Sequence, residues 1–155
     1  MNEKAYAGIR LVGAWSLVSW QIFDDNNAGF TEPFGADPHG MLQYTDDGCM
    51  SAVVCRSERA SLPPGISPRR MDPAQLADCY RSYFHYAGRW HIEGDSVIHS
   101  VEFGLNPNMV GTRQVRQMNF AGNTLTLTGI ETLGQQQRRH VLLWQRVKPK
   151  NTDSE

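Results

Sequence analysis

From Val12 to Val147 the chain is a succession of short runs in which apolar residues fall at every second position, and the runs are separated by Gly, Asn, Asp and Pro. Period-two alternation sends successive side chains to opposite faces of a strand, so each run can bury one face and wet the other. Many short runs of this kind specify an all-β barrel or sandwich. The runs are VGAWSLVSWQIF, HGMLQYT, CMSAVVC, GRWHIE, SVIHSVEF, TRQVRQMNFA, TLTLTGIE and RRHVLLWQRV, eight in number. Tight turns follow the second, fourth and sixth, at Asp46-Asp47-Gly48, Gly94-Asp95 and Gly122-Asn123. Longer connections follow the first, third, fifth and seventh. Alternate connections of an up-and-down barrel lie at the same end, so one end is closed by tight turns while the other carries the long loops.

The longest interruption, from Arg56 to about Met71, leads into DPAQLADCYRSYFHY. There Asp72 can cap a helix that begins at Pro73, and Leu76, Tyr80, Tyr83 and Phe84 recur at helical spacing, which predicts an apolar face packed on the barrel. The expected architecture is an all-β, eight-stranded antiparallel up-and-down β-barrel over residues 8–148. It has one α-helix inserted between strands three and four, and a disordered tail at 149–155.

A net charge of -1 gives no electrostatic case for nucleic acid or an anionic membrane as partner. Arg69-Arg70 and Arg138-Arg139 read as solvated loop charges. The N-terminal residues lack the apolar core of a signal peptide, and no run approaches the ~20 apolar residues of a membrane span, so a cytoplasmic protein is expected. Cys49, Cys55 and Cys79 are odd in number and lack metal-ligand spacing, as expected of reduced thiols. Neither a metal nor a cofactor is called for.

Gly13-Ala14-Trp15 at the start of the first strand, with Trp144-Gln145-Arg146 in the last, resembles the glycine-x-tryptophan and late-arginine pairing of lipocalin and calycin barrels. More specifically, LVGAWSLVSW, PFGADPHGMLQYTDDGCMSAVV, YFHYAGRW and LNPNMVGTRQVR resemble the lipocalin-like domain family of small intracellular bacterial and fungal proteins, over about Leu11 to Val147. The resemblance implies that Arg146 packs across Trp15 at the closed end. It also implies binding of a small hydrophobic molecule, and some barrels of this shape act as cyclases or isomerases. The family offers no catalytic motif to carry over, so the site rests on these residues.

With Trp15 and Arg146 taken as facing inward, alternation and turn geometry propagate the facing around the barrel. His140, Leu142 and Trp144 then face in, with Leu127 opposite Trp144 and Glu131 opposite His140. Phe120 lies opposite Leu125, Met118 opposite Leu127, Arg116 opposite Gly129, His99 opposite Arg116, Val101 opposite Gln114, and Trp90 opposite His99. Glu102 opposite Arg113 reads as an exposed cross-strand ion pair. Gln21 joins the inner face if it shares one with Trp15, Leu17 and Ser19. Val18, Trp20 and Ile22 then form an outer apolar strip that calls for cover by the helix or by a second copy in a homodimer. Tyr44 has two registers open to it.

An apolar floor below His99, Arg116, Gln114, Glu131 and His140 is a candidate small-molecule pocket. The expected ligand is mainly apolar and carries an oxygen or carboxylate, contacted by Arg116, His99, Trp90, Gln114, Gln21, Tyr44, Met118 and Leu142. The alternative is a cofactor-independent cyclase or isomerase, in which Glu131 and His140 move a proton and Arg116 stabilises negative charge. The bland reading makes Arg116 and Glu131 an internal salt link. Whether the chain is an enzyme stays open.

Overall fold

In the computed structural model, which describes residues 3–25 and 28–148, β1 (Gly13–Asp24) pairs antiparallel with β9 (Gln136–Arg146) and closes a sheet whose remaining order follows the chain. The ring continues from β1 through β3 (His39–Tyr44), β4 (Cys49–Cys55), β5 (Tyr83–Glu93), β6 (Ser96–Gly104), β7 (Arg113–Ala121) and β8 (Thr124–Leu133). The eight-stranded antiparallel up-and-down barrel is therefore present. A ninth strand, β2 (Phe30–Thr31), lies outside the ring and pairs with Ile22 and Phe23 of β1. The expected tail at 149–155 lies outside the described residues. Among the described residues no helix is long and apolar enough to cross a membrane.

The closed end holds an element that alternation did not reveal, the helix α1 (Glu3–Leu11). Its last residue, Leu11, is fully buried, and Gly8 packs near Ile92 of β5. Arg146 ties this helix to the barrel: its guanidinium lies 3.8 Å from the Trp15 ring centroid and donates to the carbonyls of Val12, at 2.7 Å, and Arg10. Trp15 in turn donates its indole N–H to the Leu11 carbonyl at 2.9 Å. Gly13 has φ +121°, and a Cβ there would stand 2.8 Å from Arg146 Nη1, so glycine is required for both backbone and space. The Gly-x-Trp spacing is thus the footprint of one arginine.

Helix α2 (Pro73–Arg81) sits between the third and fourth barrel strands, β4 and β5, and Asp72 caps it by accepting from Ala74 N–H at 3.3 Å. It differs from expectation in two ways. Leu76 and Tyr80 are exposed, so the anticipated apolar face does not pack on the barrel. Tyr83 and Phe84 leave the helix for β5, because ladder pairing with Cys55 and Val54 satisfies their backbone groups better than another helical turn would.

Other expectations need correction as well. The connection between β8 and β9 is a tight turn at Gly134-Gln135, not a long loop. Its tightness shifts the pairing by two residues, so Leu127 faces Leu142, Gly129 faces His140 and Glu131 faces Arg138. Arg138-Arg139 therefore lies in β9 rather than in a loop. Between β6 and β7 the shift is also two, with His99 opposite Gln114 and Val97 opposite Arg116. A shift of two preserves which face a residue is on. Glu102 and Arg113 do not pair with each other: Glu102 lies 3.7 Å from Arg89 and Arg113 2.8 Å from Glu93, both at the surface.

A bulge in β1 between Leu17 and Ser19 has the opposite effect, since it changes the pairing by one. Trp20 then faces Leu142 and joins the core, and Ile22 is buried opposite His140. The outer strip of Val18, Trp20 and Ile22 does not form. Because Arg146 links α1, β1 and β9, Arg146→Ala should cost about 2 kcal/mol through the lost stacking and carbonyl bonds. Gly13→Ala should lower stability in the same direction, and urea midpoints for the two variants check both.

Candidate functional site

The inner face of β6 places His99 in the barrel at 1% exposure, where an imidazole needs partners for both ring nitrogens. Two tyrosines supply them. Tyr44, at the end of β3, has its hydroxyl 2.7 Å from His99 Nε2, and Tyr86 of β5 has its hydroxyl 2.7 Å from Nδ1. Tyr86 belongs to the segment that reads as helix, from which the sequence leaves its facing open between helix packing and the barrel mouth; the structure turns it inward from β5. Its signal is the alternation Phe84, Tyr86, Gly88, Trp90, Ile92, which continues the β5 pattern through the assumed helix end.

Burial, followed by the positive charge of Arg116, drives the His99 pKa from its ordinary 6.5 to about 3, so the ring is neutral. Burial also raises the Tyr44 and Tyr86 hydroxyls above their ordinary value, and both stay protonated. A neutral imidazole has one donor and one acceptor nitrogen. One tyrosine therefore donates to His99 while the other accepts from it. The accepting tyrosine keeps a hydroxyl hydrogen that enters neither of these two bonds.

Arg116 of β7 approaches from the next strand. Nη1 donates to the Val115 carbonyl at 2.9 Å and Nη2 to Gln114 Oε1 at 3.2 Å, while Gln114 Nε2 donates to Thr112 Oγ1. The guanidinium crosses β8 where Gly129 leaves a gap: a Cβ there would stand 2.6 to 3.0 Å from Nη1, Cζ and Nε together. A glycine inside a strand marks such a close approach. Among the described residues Arg116 makes no salt bridge.

Glu131 is occupied elsewhere. Its Oε2 accepts from Arg138 Nη2 at 2.7 Å and from His140 Nε2 at 2.9 Å. Burial alone would raise its carboxyl, but the bonds from His140 and Arg138 outweigh that and hold it below its ordinary value. His140 Nδ1 accepts the indole N–H of Trp20 at 3.2 Å, which assigns the ring proton to Nε2. Burial lowers the His140 pKa against the upward pull of Glu131. Both of its nitrogens are committed, so as arranged the pair is poorly placed to take a proton from a substrate. The salt link between Arg116 and Glu131 is not formed.

The remaining candidates divide. Met118 and Leu142 are half-buried, pack against the core, and line the interior. Trp90 lies behind Tyr44, with ring centroids 5.2 Å apart, and spends its N–H on the Thr45 carbonyl at 3.0 Å. Gln21 is a correction: the β1 bulge pairs it with Val141 and turns it to the outer face, and Trp20 takes the inner place. The indole N–H of Trp144 is buried with no acceptor among the described residues. Such an unmet group costs about 1–3 kcal/mol. Among the described residues no cluster suited to a metal ion occurs.

The linkage of His99 has a definite sign. Its folded pKa lies below its unfolded one, so the unfolded chain takes up a proton below about pH 6.5 that the fold refuses until about 3, and stability falls as pH drops through that window. His140 adds a term of the same sign. Urea midpoints taken below neutrality should decline toward acid, and His99→Gln should remove the larger part of the slope. An unchanged slope would mean that His99 is not held neutral.

Among curated proteins none matches the chain. A family model described as the lipocalin-like domain matches residues 12–147, a span that takes in every barrel strand from Gly13 to Arg146, and the chain accordingly belongs to the lipocalin-like domain family.

Proposed function

We propose that this barrel binds a small, mainly apolar molecule carrying an oxygen or carboxylate, and that it does so in the cytoplasm. Membership of a lipocalin-like family supports small-molecule binding in general. The observation that carries the finer reading is the inward guanidinium of Arg116, which makes no salt bridge among the described residues while the nearby Glu131 is held by Arg138 and His140. A half-buried charge of this kind needs a counterpart or water. Met118, Leu142, Leu125 and Leu127 offer the hydrocarbon an apolar wall beside it.

The rival reading, a cofactor-independent cyclase or isomerase, draws on the 2.9 Å contact between His140 and Glu131. It is the weaker of the two because Trp20 occupies the nitrogen that would have to act as base. Native mass spectrometry of protein purified from its own host tests the binding reading. A retained small molecule is expected, and it should be lost or weakened at least about tenfold in Arg116→Ala. Gly129→Val should have the same effect by evicting the guanidinium from its gap. Equal retention by wild type and both variants would contradict the role given to Arg116.

A further inference from the structure

The polar groups of the interior can be counted by what each still has to offer. Gln114 Oε1 accepts from Arg116, Glu131 Oε2 from Arg138 and His140, and His140 Nδ1 from Trp20. The one acceptor nitrogen of His99 takes a tyrosine hydrogen. Glu131 Oε1 takes none of these bonds, but that side chain is 40% exposed; what remains beside Arg116 and His99 is on the donor side. Arg116 has five N–H groups and spends two of them on Val115 and Gln114. The Tyr44, His99 and Tyr86 chain contains three hydrogens and two bonds, so one hydroxyl hydrogen is left over whichever way the chain is oriented. Gln114, which accepts from Arg116, is the register partner of His99, so the guanidinium and the tyrosine chain share one stretch of the inner face.

We infer that Arg116 and the Tyr44, His99 and Tyr86 chain form a receptor for an ionised carboxylate at the end of an apolar body, in preference to an alcohol or an amine. The inference rests on the binding function proposed above and names the chemical class of its ligand. A carboxylate accepts only, and its two oxygens suit the planar fork of Arg116 with a hydroxyl beside it. An alcohol would bring a further hydrogen to a place already in excess of them. An ammonium would add a second positive charge next to Arg116. In this arrangement His99 is a positioning residue: it touches the tyrosines and decides which hydroxyl points at the ligand.

The test is displacement of the neutral fluorescent probe N-phenyl-1-naphthylamine by decanoate, decanol and decylamine, which share one hydrocarbon chain. Decanoate should displace the probe at a concentration at least about tenfold lower than decanol, and decylamine should do no better than decanol. Arg116→Gln and Tyr86→Phe should each bring decanoate to the level of decanol, with displacement from each variant referred to its own measured affinity for the probe. Decanol or decylamine matching decanoate on the wild-type protein would overturn the inference and leave the cavity reading standing. The same holds if the decanoate advantage survives in a folded Arg116→Gln. A wild-type protein that fails to bind the probe or any of the three compounds would overturn both.

Discussion

The seam between the first and last barrel strands rests on the Arg146 guanidinium, held against the Trp15 ring and bonded to two carbonyls at the end of α1. Closure at this seam turns a meander of hairpins into a ring, and only a ring has an inside. The facing of every later residue follows from it by alternation. Gly13 is small because Arg146 passes over it, and Gly129, across the barrel wall, is small because Arg116 does. Two glycines thus make room for two arginines with different duties, one holding the floor shut and the other left facing the interior.

The chemistry of the interior is a consequence of which charges have been spent. Arg138 takes the Glu131 carboxylate at 2.7 Å, and Trp20 and Glu131 between them fix both nitrogens of His140. His99 is equally committed, to Tyr44 and Tyr86. These closed networks are expensive to leave half-made in a low-dielectric interior, and they rigidify what they join. Arg116 is what they leave over. Its surroundings are tyrosines held protonated by burial and a histidine held neutral, so the positive charge meets hydroxyl and imidazole dipoles and no anion among the described residues.

Much of the fold could be read from the sequence because strand facing tolerates certain errors. The β8–β9 and β6–β7 registers each differ from expectation by two residues, and His140, Glu131, His99, Arg116 and Gln114 nevertheless face inward. A difference of one is not tolerated. The β1 bulge at Val18 exchanged Gln21 for Trp20, and no residue type in VGAWSLVSWQIF announces it. Tyr86 was hidden by a contest between two periods, since Tyr80, Tyr83 and Phe84 fit a helix until the ladder with β4 claims the segment. The partners of His99 are not legible in the sequence: Tyr44 has an ambiguous turn after it, and Tyr86 lies in a segment that reads as helix.

The most direct measurement is a crystal structure of the protein purified from its own host, with attention to the difference density beside Arg116. The expected result is an acceptor oxygen within hydrogen-bond distance of the guanidinium, with an apolar body running along Met118 and Leu142. An Arg116 side chain turned out to solvent, or paired with Glu131 after release of Arg138, would contradict the central claim that this guanidinium is kept free for a ligand.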